Sequence, residues 1–68
     1  MNKKEENILN YASDRVVYCL HQGIDNNQIA EWLDDFIIGL SEDYSSELFS
    51  ELYRIQDNLL LGGIDYED

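Results

Sequence analysis

Apolar residues recur at helical spacing in three stretches of this chain, and polar runs separate the stretches. Over about residues 4–22, Ile8, Leu9, Ala12, Val16, Cys19 and Leu20 fall within about 120° of one another on a helical wheel. Tyr11 and Tyr18 lie together at the edge of that stripe, and Val17 points away from it. Over about residues 26–40, Ile29, Ala30, Leu33, Phe36, Ile37 and Leu40 form a second stripe, with Trp32 at its edge beside Phe36. Ile38 falls on the far side, among Glu31, Asp34 and Asp35. Over about residues 45–61, Tyr44, Leu48, Leu52, Ile55 and Leu59 line one face, with Phe49 and Leu60 beside them. Nothing alternates with period two for long enough to predict a strand. The pattern predicts an all-α chain: one compact three-helix domain over 1–68, with short turns and an acidic C-terminal tail over 62–68.

The connections carry their own signals. Gly23 can take the left-handed position that stops a helix, and Ile24 would then meet Cys19 in a Schellman arrangement. Asp25 follows as an N-cap, with Gln28 spaced for a capping box and Ile24 and Ile29 for a hydrophobic staple. One heptapeptide, Gly23 to Ile29, therefore encodes a stop, a turn and a restart. It predicts two antiparallel or steeply crossed helices joined by a tight turn. Before the third helix, Ser41, Asp43 and Ser45 are all competent caps. Gly62-Gly63 ends the third helix.

Charge changes the picture. The chain carries 15 acidic and 4 basic side chains, a formal charge of −11. Lys3 and Lys4 stand together at the start, so residues 5–68 hold only Arg15 and Arg54 against all the acids, 2 − 15 = −13. Such a chain repels nucleic acid and anionic membranes and attracts basic surfaces. The commonest basic surfaces belong to proteins that grip nucleic acid. The chain is not disordered in composition: 44% of it is apolar, and it is rich in Ile, Leu, Tyr and Phe. A 68-residue domain has a thin core, and a homodimer or a partner would relieve it. Residues 1–7 are polar, and no segment approaches the roughly 18–20 apolar residues of a membrane span, so the expected location is cytoplasmic, or the host-cell cytoplasm for a phage-encoded protein.

Chemistry finds few footholds. Cys19, the one cysteine, falls on an apolar stripe and reads as a small buried hydrophobe. His21, the one histidine, stands in the last turn of the first helix, where a cation suits the helix dipole. The two are only two residues apart and do not face one another on a helix. A zinc site would need more Cys and His ligands, and Asp25-Asn26-Asn27 lacks the alternation and the distal glutamate of a calcium loop. No enzyme, metal or cofactor is expected. The run from Gln28 to Leu33 resembles the first helix of helix-turn-helix DNA readers. Asp34 and Asp35 depart from that pattern, and the following helix would bring Glu42, Asp43 and Glu47 to the groove, which DNA would repel.

The candidate partner-binding set is Glu31, Asp34, Asp35, Ile38, Glu42, Asp43, Glu47 and Glu51. Glu31 and Asp35 are spaced i, i+4, as are Glu47 and Glu51. Such like-charge pairs cost a helix a few tenths of a kcal/mol. They also place carboxylates about 6 Å apart along the axis, comparable to phosphate spacing. Trp32, Tyr18, Tyr53, Val17 and Ile38 lie off the main stripes, and Tyr and Trp are common interface anchors. The expected function is an acidic inhibitor that occupies a basic nucleic-acid-binding surface of a partner protein, such as a nuclease. In size and charge the chain resembles the small acidic anti-restriction and anti-CRISPR proteins of phages and mobile elements, and also nuclease immunity proteins. The alternatives are a homodimeric helical structural or adaptor module, whose charge serves solubility, and an antitoxin that neutralises a basic toxin.

Overall fold

A computed structural model describes residues 1–61 and contains the three expected helices, α1 (Lys3–His21), α2 (Asn26–Ile38) and α3 (Ser46–Leu60), with no strand among the described residues. The acidic tail and the Gly62-Gly63 stop lie outside the described residues.

Each helix starts where a side chain takes an orphan amide. At α1, the Asn2 side chain accepts from the Glu5 N–H at 2.8 Å, and Glu5 Oε1 accepts from the Asn2 N–H at 3.1 Å. That reciprocal box satisfies two donors that would otherwise face water. The α1–α2 turn forms as its sequence dictates. Gly23 adopts φ 78°, Ile24 N–H donates to the Cys19 carbonyl and Gly23 N–H to that of Leu20, both at 3.1 Å, completing the Schellman pair. Asp25 caps α2, but not through a box with Gln28. Its carboxylate takes the Asn27 N–H, one residue earlier, at 2.9 Å, and Gln28 remains exposed. Ile24 also stays 37% exposed, whereas Ile29 is buried.

α2 ends at Ile38, not at Leu40 as the stripe suggested. Gly39 is the C-cap, and Leu40 N–H turns back to the Ile37 carbonyl at 3.1 Å. Leu40 keeps its place against the core from just beyond the helix, which is why it fits the periodic pattern. Of the three cap candidates before α3, Ser45 is the one used: its Oγ accepts from Leu48 N–H at 3.4 Å. Ser41 instead accepts from Asp43 N–H at 3.1 Å and shapes the turn.

The core consists of Ala12 and Val16 from α1, Ile29, Ala30, Leu33 and Ile37 from α2, and Leu48, Leu52 and Leu59 from α3. α2 and α3 form the most extensive pairing. They run antiparallel: Asn26 Nδ2 at the start of α2 donates to the Leu59 carbonyl at the end of α3 (3.3 Å), and Gln56 Nε2 donates to the Ala30 carbonyl (3.1 Å). Two stripe positions fail to bury. Leu20 is 40% exposed and Leu60 56%. Both stand at helix ends, where a three-helix packing has nothing further to lay over them. Cys19 is half-buried, packed at the edge of the core.

The seam between α1 and α2 is aromatic. Tyr11 lies 6.5 Å from Trp32 and 5.7 Å from Phe36, centroid to centroid, and Trp32 stacks on Phe36 at 5.3 Å. The Arg15 guanidinium sits over Trp32 and the Lys4 ammonium over Tyr44, each at 5.8 Å. Cations over aromatic faces are attracted by the ring quadrupole. Trp32 is half-buried here, while Val17, Tyr18, Tyr53 and Ile38 remain exposed, as their off-stripe positions implied.

Candidate acidic interaction surface

α2 presents on its outer side a carboxylate cluster that ends in one apolar side chain. Ile38 is 71% exposed, the most exposed large hydrophobic side chain of that helix. Asp35, Asp34 and Glu31 stand three, four and seven residues before it, the spacings that share a helix face. Glu31 and Asp35 are exposed and Asp34 is half-buried. Asp34 and Glu31 also border a shallow groove toward α3, lined by Asn27, Ala30, Gln56 and Leu60. Glu42 and Asp43 are exposed in the turn that follows α2.

Glu47 and Glu51 belong to a different face. On α3, Gln56 and Leu60 look toward α2 and its groove. Nine residues separate Glu47 from Gln56 and Glu51 from Leu60, about half a turn beyond two full turns, so each pair points to opposite sides of the helix. Glu47 looks toward the start of α1, where its Oε1 accepts from the Met1 ammonium at 3.1 Å. The eight candidate residues therefore do not form one array. Glu31, Asp34, Asp35 and Ile38 are brought together, Glu42 and Asp43 follow them in the chain, and Glu47 and Glu51 are turned away.

Among the described residues, the Met1–Glu47 contact is the only ion pair, and no Lys or Arg side chain reaches a carboxylate. The acids of α2 thus have no internal counter-ions. Desolvating them on contact costs energy that an external cation offsets.

One acid is not a surface group at all. Glu5 is 5% exposed and joins the beginnings of α1 and α3. Its Oε2 accepts from the Ser45 N–H at 2.8 Å, and its Oε1 accepts from the Ser45 hydroxyl at 3.3 Å as well as from Asn2 N–H. The Ser45 N–H, then the Asn2 N–H, hold this carboxyl below the usual carboxylate range, because both bonds favour the charged form. Sequence reasoning counted Glu5 only among the acids. The Asn2-Lys3-Lys4-Glu5 spacing of a capping box was the local signal that could have marked it.

Among the described residues no three His, Cys, Asp or Glu side chains converge as a metal site, and no helix is long and apolar enough to cross a membrane. No protein-family model, curated protein or solved structure matches this chain.

Proposed function

We propose that this protein acts by binding another protein, docking the outer face of α2 on a basic surface that its partner uses to hold nucleic acid, and so inhibiting that partner. The observation that carries this reading is the α2 cluster: Glu31, Asp34 and Asp35 without internal counter-ions, on the same face as a 71% exposed Ile38. A face kept only for solubility has no use for an exposed isoleucine at its end. A docking face does: carboxylates steer the encounter with a basic partner, and the apolar side chain is desolvated on contact and slows release. Glu42 and Asp43 extend the negative potential beyond the end of the helix. The anti-restriction and anti-CRISPR inhibitors resemble this chain in size and charge, and the host-cell cytoplasm is where such a protein would work.

The test is capture from a bacterial lysate by the tagged protein, with elution at about 0.1 M and about 1 M salt, conditions whose screening lengths differ roughly threefold. Three baits are compared: wild type, the triple variant Glu31→Lys/Asp34→Lys/Asp35→Lys, and Glu47→Lys. The expected result is a basic nucleic-acid-binding protein that wild type and Glu47→Lys retain at low salt and release at high salt. The triple variant should not retain it. Capture that survives the triple reversal would remove the α2 face from the interaction and overturn the reading.

A further inference from the structure

A second surface, on α1, is built differently. Tyr11, Asp14, Arg15 and Tyr18 occupy positions i, i+3, i+4 and i+7 of one helical stripe and together line an open, shallow concavity. Tyr11 is 54% and Tyr18 58% exposed, although Tyr11 also leans on Trp32 and Phe36. Two exposed tyrosines flanking an Asp-Arg pair form a compact patch with anchors at both ends and charge in the middle.

The patch is self-complementary. Place a twofold axis between residues 14 and 15, and run a second copy of α1 antiparallel to the first. Residue numbers facing one another then sum to 29. Tyr11 faces Tyr18 of the second copy, and Asp14 faces Arg15 of the second copy; the twofold repeats both contacts. No other register of two antiparallel α1 helices pairs both the tyrosines and the opposite charges.

Charge distribution makes α1 the face on which two copies can meet. Within α1, Lys3, Lys4 and Arg15 balance Glu5, Glu6 and Asp14, 3 − 3 = 0. From residue 25 to 61 the chain holds Arg54 against nine acids, 1 − 9 = −8. Contact through α2 or α3 would press those negative surfaces together, whereas α1 carries no net charge of its own. Arg15 is poised for the exchange. Its guanidinium rests over Trp32 at 5.8 Å, and among the described residues its N–H groups find no acceptor in its own chain, leaving them to the carboxylate of the second copy.

We infer that the α1 stripe centred on Asp14 and Arg15 is the seam of an isologous homodimer, the second copy bound antiparallel with Tyr11 on Tyr18 and Asp14 on Arg15. This inference is independent of the α2 reading, since it concerns another face and another partner. Its test is the oligomeric state of the purified full chain, by sedimentation equilibrium and light scattering over about 1 µM to 1 mM. Wild type should be dimeric at the upper end. Asp14→Arg and Arg15→Asp alone should each weaken association by about tenfold or more, because each puts like charges opposite one another twice. The double variant Asp14→Arg/Arg15→Asp should recover it. So should an equimolar mixture of the two single variants, in which every Arg again faces an Asp. That mixture excludes a folding failure as the cause of dissociation, and circular dichroism of each variant checks the same point. A monomer at all concentrations, a dimer indifferent to the single reversals, or failure of both the double variant and the mixture to reassociate would overturn the inference.

Discussion

Glu5 shows how one side chain can tie together parts of a small fold that the chain places far apart. Its carboxylate takes amides from Asn2 and from Ser45, so it caps α1 and holds the start of α3 against it. Ser45 in turn caps α3 through its hydroxyl. A group whose folded pKa lies below its unfolded value adds stability above the unfolded value and loses it as pH falls through the folded one. Glu5 should therefore stabilise the fold at neutral pH and lose that contribution below the usual carboxylate range. The rest of the molecule pushes the other way, because protonating the surface acids relieves self-repulsion. The difference between wild type and Glu5→Gln isolates the term. Thermal melts from pH 7 to pH 3 should show Glu5→Gln with the lower Tm at neutral pH, and the gap should close toward the acid end. A gap that stays constant with pH would mean that Glu5 acts by packing and not by charge. The Asn2-Lys3-Lys4-Glu5 spacing made its local capping role legible in the sequence, but not its role between helices. Its role depends on Ser45, forty positions away, and only the packing of two helix starts reveals it.

At the scale of elements, what could be read from the sequence was whatever is encoded locally. The turn from Gly23 to Asp25 was legible because a glycine stop and an aspartate cap act within a few residues. The stripes gave the core because burial on a helix recurs at its own period, and each buried side chain in α2 and α3 was already on a stripe. Leu20 and Leu60 were misjudged for the complementary reason: periodicity says which way a side chain points, and not whether a neighbour reaches that far. The same limit split the acidic set. Glu47 and Glu51 matched Glu31 and Asp35 in spacing, but the rotation of α3 about its axis, fixed by Gln56 on the Ala30 carbonyl, turns them away. The acidic face of α2 carries an internal cost, since Glu31 and Asp35 repel across one turn. Asp35→Lys converts that repulsion into an attractive i, i+4 pair with glutamate on the N-terminal side. It should raise stability by about 0.5 kcal/mol, read from urea midpoints, while weakening partner capture. Lost capture together with lost stability would instead point to a structural role for Asp35.

At the scale of the molecule, charge divides unevenly along the chain. α1 is balanced and carries the aromatic seam with Arg15 and Lys4 laid over ring faces; residues 25–61 hold eight of the eleven uncompensated negative charges. Under the two proposals, one 68-residue chain would meet a copy of itself through α1 and a basic partner through α2. The two associations should then answer salt with opposite signs. Between copies, the short-range Asp14–Arg15 contacts work against long-range repulsion of two strongly negative bodies. Raising salt from about 0.01 M to 0.15 M shortens the screening length from about 30 Å to 8 Å, which removes the distant repulsion first and leaves close contacts less affected. Self-association should tighten over that range. Binding of the α2 face to a basic surface is attraction at every distance, so the same change should slow its association and weaken it. Sedimentation of the free protein and binding kinetics of the captured complex, measured across one salt series, give both slopes. Slopes of the same sign would mean that the two contacts share a surface, and that the neutral and acidic sides are not used separately.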